Sequence, residues 1–534
     1  MTEASLSVPR PGAINPWLIA AAVVVPTFME VLDTTIAVVA LRYIAGGLSA
    51  AVVDGEWVIT SYLAANAIIL PATGWLINRF GRRNYFLASI AVFTLASVLC
   101  GMATGLYQLI LFRAIQGIAG GGLQPCSQGV LLDAFPREKQ GIAMTLFGLA
   151  ALIAPVVGPT LGGWITDNYS WRWVFYINLP VGLVASAACY AVVHDPEYLT
   201  AQRAEQKRQG SRFDSIGLSL LVITMVCWEV MLSKGEEWNW LGDAFWRVQT
   251  LLTLFIAALG GLIFWEMHHT SPVVNFRPLG ERNFSACCII IFGAYAVLYG
   301  YSTLLPGLLQ SLFGYNALQA GLVMSPAGFF AILTLPVVAR VLGRPTDARW
   351  VILAGLLTMA ASNYWMSQLN LDISPGQAVW PRVVMIVGLS ICFAPANVAA
   401  YLYTPKELRA AAVGLFSLLR NEGGSVGTSL SQALQDHREQ FHTLRLGENL
   451  DPFNPSVQSF LEQSKAFFLQ QTGDPALSQQ LAWQALENLR QQQASSLAYF
   501  DCFWIFAMLM LALVPAVLLM KRSVAEKGAR IGGE

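Results

Sequence analysis

The chain has 534 residues, of which 55% are apolar and only 12% are Asp, Glu, Lys or Arg. Soluble domains are nearer a quarter charged, so this composition points away from a soluble protein and toward a polytopic membrane protein. The formal net charge is zero, which argues against nucleic acid as a partner.

A membrane span takes roughly 20 apolar residues. Suitable stretches run at roughly 17–40, 57–77, 85–104, 107–132, 141–166, 174–193 and 215–233, then at 248–267, 286–306, 319–340, 350–368, 381–402, 411–433 and 500–520. The expectation is an all-α membrane protein of fourteen transmembrane helices. The opening residues, MTEASLSVPRPGAINP, lack a cleavable signal pattern, so the first span is expected to be retained. With the N-terminus inside, short inner loops carry Arg79, Arg82, Arg83, Arg137, Lys139, Arg340, Arg344 and Lys406, among other cations. Short outer loops offer little beyond Arg42, Arg172, Lys234 and Arg247. Positive charge stays inside, so both termini are expected in the cytoplasm. The eight cysteines fall in or beside apolar stretches without metal-type spacing and read as small hydrophobes.

Helix 1 places Glu30 and Asp33 three residues apart, on one face. Two carboxylates in a low dielectric do not both ionise cheaply, which suits groups that take up and release a proton. Helix 4 buries Arg113, helix 7 Glu229, and helix 13 Arg420 and Glu422. Each costs roughly 2.5–3.5 kcal/mol on insertion scales, so each needs a partner, a cavity or a function. Arg113 suits either a proton-coupling role or a pair that locks two helices; Glu229 leans toward a structural role. Glu266 and Asp501 lie at span ends and are expected at the interface. All five histidines lie in loops or at span ends, which leaves proton relay to the carboxylates. Helix 5 carries APVVGPTLGG at 154–163, where glycines let a neighbouring helix approach closely.

The chain repeats itself at one offset. Arg113, Pro136, Glu138, Leu146, Phe147, Leu149 and Gly158 recur 269 residues later as Arg382, Pro405, Glu407, Leu415, Phe416, Leu418 and Gly427. The offset relates helices 4–5 to helices 12–13, so two extra spans sit between two six-helix halves. The expected divisions are 1–193, a six-helix half; 194–214, a cytoplasmic linker; 215–267, two extra helices; 284–520, the second half; and 521–534, a cytoplasmic tail. Within the second half, the long outer segment 434–499 places Val457, Phe460, Leu461 and Phe468, then Leu477, Leu481 and Leu489, at near-helical spacing. Two short amphipathic helices are expected there, either as a solvated cap or as a docking surface.

There is no G-x-x-x-x-G-K-[ST] sequence, so ATP hydrolysis is not expected. Neither a metal set nor a nucleophile constellation is recognisable, and no enzyme activity or cofactor is expected. An ion gradient or the substrate's own gradient must drive any transport.

Four segments, in order and at the right helices, resemble the EmrB/QacA-type, fourteen-span branch of drug:proton antiporters in the major facilitator superfamily. VLDTTIAVVAL at 31–41 resembles the first-helix motif, whose aspartate, here Asp33, is implicated in proton coupling. GWLINRFGRR at 74–83 resembles the inner-loop motif, a conformational latch, at Gly74, Asn78, Arg79, Gly81 and Arg82. LFRAIQGIAGGG at 111–122 resembles the helix-4 motif, whose arginine is Arg113. APVVGPTLGG resembles the antiporter motif through Pro155, Gly158, Pro159, Gly162 and Gly163, and WRWVFYINLP at 171–180 narrows the likeness to the fourteen-span branch. The chain departs from the pattern at Asn78, where the family usually has aspartate, and at Val38 and Arg42, where asparagine and proline are common.

The resemblance implies proton-coupled export of small hydrophobic, amphipathic or aromatic toxic compounds. The segment 434–499 resembles the EmrB side of the branch, which works with a periplasmic adaptor and an outer-membrane channel. That implies a Gram-negative inner membrane. A nutrient or metabolite symporter is one alternative; it would share the fold but lack the helix-5 motif. A non-transporting membrane sensor or scaffold is the other; its buried charges would not need to titrate.

Overall fold

The structure is a computed structural model. It describes residues 15–523 apart from 136–139, 197–199, 201–213, 236, 270–271, 343–346, 373, 406–407, 449 and 452. Most of the expected linker and tail therefore lies outside the described residues, as do Pro136, Glu138 and Glu407 of the repeat.

Helices follow every expected apolar stretch. The first run is α1 (Pro16–Gly47), α2 (Val52–Gly55), α3 (Trp57–Phe80), α4 (Arg82–Met102), α5 (Leu106–Gly120), α6 (Leu123–Ala134) and α7 (Gln140–Asn168). Then come α8 (Trp173–Tyr176), α9 (Asn178–Val192), α10 (Ser215–Lys234) and α11 (Arg247–His268). The last run is α12 (Arg282–Ser311), α13 (Ala317–Met324), α14 (Pro326–Leu342), α15 (Ala348–Ser367), α16 (Pro375–Leu402), α17 (Arg409–Gly447), α18 (Pro455–Thr472), α19 (Pro475–Ala512) and α20 (Val514–Leu518).

Ten helices among the described residues are long and apolar enough to cross a membrane. The fourth expected span is divided into α5 and α6 at Gly121 and Gly122. Its close neighbours explain the glycines: a Cβ at 121 would lie 2.8 Å from the Asn66 carbonyl oxygen. Gly81 joins α3 to α4 at φ 90°, a conformation that glycine adopts without steric cost.

The chain folds as two compact units. The first draws on Met1–Met231, Trp246–Glu281 and Thr404–Leu418; the second on Leu232–Phe245, Arg282–Tyr403 and Leu419–Glu534. In the first, α1 packs along α7 and α9, and α5 lies between α3 and α4. Phe86, Ile90, Phe93 and Tyr62 are buried in its core. Arg82 of α4 pairs with Asp133 of α6. On α11, Leu254, Ile256 and Phe264 are exposed; such a face suits lipid, because water makes a large bare apolar surface costly.

In the second unit, α16 packs against α12, α14 and α15, and α15 packs against α19. The segment 434–499 is built differently from the two short amphipathic helices expected from sequence. Helix α17 continues past the apolar stretch to Gly447, and α19 begins at Pro475 and runs unbroken into the last apolar stretch. Only α18 is a separate helix, and it packs along α19 with Val457 buried. Helices α17 and α19 are tied together where Asp501 accepts hydrogen bonds from Arg438 Nε at 2.7 Å and meets His442 Nε2 at 2.7 Å.

Candidate functional site

The first unit holds a closed cluster of charged and polar side chains in an apolar setting. Asp33 is 1% exposed and Arg113 is 0% exposed. Arg113 Nη1 forms an ion pair with Asp33 Oδ2. Its Nε donates to the Val58 carbonyl at 2.9 Å, and Nη1 also donates to Gln116 Oε1 at 2.8 Å. The other Asp33 oxygen accepts from Gln116 Nε2 at 3.0 Å and from Asn178 Nδ2 at 2.6 Å. Asn178 is itself held by Ser97 Oγ at 2.9 Å. Five helices, α1, α3, α4, α5 and α9, thus converge on one carboxylate.

Glu30 lies one turn away and has its own partners. Tyr62 Oη and Asn66 Nδ2 each donate to Oε1 at 3.2 Å, and Gln124 Nε2 donates to Oε2 at 2.6 Å. The two carboxylates are therefore not simply stacked on one face, as their spacing suggests. Tyr62 links them, because its ring lies 4.3 Å beneath the Arg113 guanidinium while its hydroxyl bonds Glu30.

Charge counting gives the cluster its chemistry. With both carboxylates ionised, Glu30, Asp33 and Arg113 sum to one negative charge. One proton makes the sum zero. A buried uncompensated charge is costly, so occupancy by a single proton is the electrically balanced state.

Residues 23–428 match the Major Facilitator Superfamily. The chain belongs to the major facilitator superfamily. It is 36% identical over 499 residues to the multidrug export protein EmrB of Haemophilus influenzae, covering 93% of this chain and 94% of that one. It is 34% identical to the EmrB of Escherichia coli K12, covering 86% and 88%, and 33% identical to the fatty acid resistance protein FarB of Neisseria gonorrhoeae, covering 96% and 97%. Within the superfamily it is thus an EmrB-type transporter. A peptide-conjugate-bound transporter of the POT family shares the fold with a TM-score of 0.60 at 12% identity, covering 93% of this chain and 96% of that one.

The helix-5 motif of this superfamily member faces α1. A Cβ at Gly158 would collide with Thr35 Oγ1 and lie 2.9 Å from Thr35 Cβ, and one at Gly162 would lie 3.1 Å from Ile36 Cγ2. Thr35 and Ile36 follow Asp33 by two and three residues, so these glycines set how closely α7 approaches the charged stretch. Pro159 and Gly163 are buried as well; the Pro155 side chain lies outside the described residues. In the latch segment, a Cβ at Gly74 would meet nothing within 4 Å, Gly81 makes the turn and Arg82 is paired with Asp133. Arg79 is exposed, and the side chain of Asn78 lies outside the described residues.

The remaining candidates are separate from the cluster. Glu229 of α10 is 2% exposed, next to Trp228, which stacks on Phe255 of α11 at 4.9 Å. Glu266, expected at the interface, is buried at 4% and accepts from the Val274 amide at 3.1 Å. Asp214 caps the same end of this helix pair by accepting from the Gly217 amide and Trp265 Nε1. In the second unit Arg420 and Glu422 are buried, with Arg420 5.6 Å from the Tyr295 ring centroid. Gly423 and Gly427 bring α17 against the carbonyls of Phe292 and Ala296 on α12. Sequence reasoning overlooked Tyr62, Asn66, Gln116, Gln124 and Asn178. Their signal was available: each is a polar side chain inside or beside an apolar span.

Proposed function

We propose that this EmrB-type multidrug transporter is a proton-coupled antiporter that exports hydrophobic or amphipathic toxic compounds across the inner membrane. The observation that supports it is the two-carboxylate, one-arginine cluster around Asp33, closed off from solvent. Asp33 carries the coupled proton, Arg113 alternates between its carboxylate and the rest of the cluster, and Glu30 supplies the compensating charge. Protonating Asp33 dissolves the pair that ties α1 to α5, and Glu30 then balances Arg113. Transport by the relatives named EmrB is consistent with this reading. In the purified protein, substrate binding is expected to release about one proton per molecule. Binding without any proton release would leave a uniporter or a scaffold as the better reading.

The division into two six-helix halves with an inserted pair, and the cytoplasmic placement of both termini, belong to the same proposal. The charge bias of the short loops supports the orientation. The latch at Gly74–Arg82 controls closure on the inner side.

The segment 434–499 is proposed to recruit a periplasmic adaptor that leads to an outer-membrane channel. The segment leaves Leu444, Phe453, Phe467 and Trp483 exposed, although this stretch lies beyond the apolar spans. Replacing 455–490 with a Gly/Ser linker is expected to preserve proton-linked substrate binding. Co-purification with the adaptor and resistance in intact cells are expected to fall. Normal adaptor recovery and normal resistance would reduce the segment to a solvated cap.

A further inference from the structure

The 269-residue offset that pairs Arg113 with Arg382 also pairs Asp33 with Ser302. The structure repeats the contact along with the sequence. In the first unit Arg113 of α5 meets Asp33 of α1 and lies over the Tyr62 ring. In the second, Arg382 Nη2 of α16 donates to Ser302 Oγ of α12 at 3.1 Å, and its guanidinium lies 5.1 Å from the Tyr301 ring centroid. An arginine, an aromatic ring and a polar side chain recur, but the ring comes from α12 itself, next to Ser302, and a hydroxyl stands where the first unit has a carboxylate.

Arg382 is 1% exposed. Among the described residues its only other side-chain hydrogen-bond contact is Met385 Sδ, at 3.9 Å. Among the described residues its Nε has no hydrogen-bond partner, and neither has the buried hydroxyl of Tyr301. A guanidinium carries five N–H donors and cannot shed its proton to escape burial. The ring beneath it and one serine hydroxyl do not neutralise it. Two adjacent groups with unpartnered donors, one of them a fixed cation, describe a place suited to an anion.

We propose that Arg382, Tyr301 and Ser302 form a subsite for the acidic group of the transported compound, a carboxylate on a hydrophobic body. This deepens, and rests on, the reading of the chain as an exporter of small hydrophobic compounds. The planar fork of Arg382 matches a carboxylate by two parallel hydrogen bonds, and the Tyr301 ring holds the fork in place. The Tyr301 hydroxyl supplies a further donor. The substrate's charge takes the position that Asp33 occupies in the first unit. At 1% exposure the subsite is shut in this conformation, so occupancy requires α12 and α16 to part.

The test is equilibrium binding to the full-length protein in lipid nanodiscs, without any gradient, so that proton coupling does not enter. Two acid–amide pairs serve as probes: decanoate with decanamide, and 2-naphthoate with 2-naphthamide. Charge-assisted hydrogen bonds contribute about 1.5–3 kcal/mol, so at least one acid is expected to bind about tenfold or more tightly than its amide. The pair that shows the preference identifies the hydrophobic body as alkyl or aryl. Arg382→Gln is expected to abolish the preference, and Arg382→Lys to keep part of it. Because Arg382→Gln removes a buried group, Ser302→Asp provides the second arm. It installs the first unit's carboxylate and is expected to bring acid affinity down to that of the amide, with no loss of thermal stability. Equal binding of acid and amide in both pairs by the wild-type chain overturns the proposal. So does an acid preference that survives in Ser302→Asp. Neither result touches the antiporter reading, which proton release tests separately.

Discussion

Asp33→Asn is expected to abolish efflux driven by a pH gradient while the protein still inserts and still binds substrate. Asparagine has nearly the shape of aspartate, so α1, α5 and α9 keep their packing. The charge sum changes instead. Glu30 and Arg113 then total zero, the same balance that one proton gives the native cluster. The variant is fixed in a proton-loaded equivalent and has nothing left to release. One proton crossing ~150 mV supplies ~3.5 kcal/mol, which supports roughly a 300-fold gradient of a neutral substrate. Without it the substrate only equilibrates. The measurement is dye or drug efflux in proteoliposomes with an imposed pH gradient, alongside proton release on substrate addition. Concentrative efflux that still responds to the gradient would remove Asp33 from the coupling role and leave Glu30 as the carrier.

The charged members of the cluster were legible in the sequence because charge inside an apolar span is conspicuous. Glu30, Asp33 and Arg113 stand out for that reason alone. Their grouping was less legible. Spacing along α1 suggested that Glu30 and Asp33 interact face to face. Each instead has its own partners: Tyr62 and Asn66 of α3 and Gln124 of α6 on Glu30, and Arg113 and Gln116 of α5 and Asn178 of α9 on Asp33. Tyr62 illustrates the limit: a tyrosine in a span reads as belt or packing, and only its position between Arg113 and Glu30 gives it a role. The fold was legible for a simpler reason. A bilayer demands helices of a fixed length with their backbone groups satisfied internally, and ten helices among the described residues meet that demand by length and composition. What sequence did not convey is how helices continue beyond the apolar boundary. Polar composition marked 434–499 as a separate segment, yet α17 and α19 cross that boundary without a break, because helix continuity depends on backbone geometry and not on hydropathy.

The repeat carries a lesson about asymmetry. Matching arginines at 113 and 382 suggest matching roles, but their partners differ: Arg113 meets Asp33 and Gln116, and Arg382 meets Ser302 and Met385. One half carries its own counter-charge and suits an internal proton. The other lacks one and suits a charge brought from outside. The exchange of Asp33 for Ser302 at matched positions thus fits the proposed split between a proton site and a substrate site.

Gly158→Ala is expected to impair efflux strongly, and Thr35→Gly in the same chain is expected to restore part of it. A Cβ at 158 would collide with Thr35 Oγ1 and come within 2.9 Å of Thr35 Cβ. The threonine hydroxyl is not free to swing away at no cost, because it bonds the Val31 and Leu32 carbonyls at 3.1 and 3.0 Å. Overpacking of this kind costs about 1–3 kcal/mol. At this position the strain falls on α1 two residues from Asp33, so it moves the carboxylate away from Gln116 and Asn178. Thr35→Gly removes both clashing atoms, leaving the Ile36 amide nitrogen at 3.4 Å from the new methyl group. A glycine inside a helix itself costs about 1 kcal/mol, so the rescue is expected to be partial. Efflux rates for the two single variants and the double variant, normalised to the amount of folded protein, give the coupling between the positions. Additive effects of the two changes, with no rescue, would show that α7 does not set the position of α1 at Asp33.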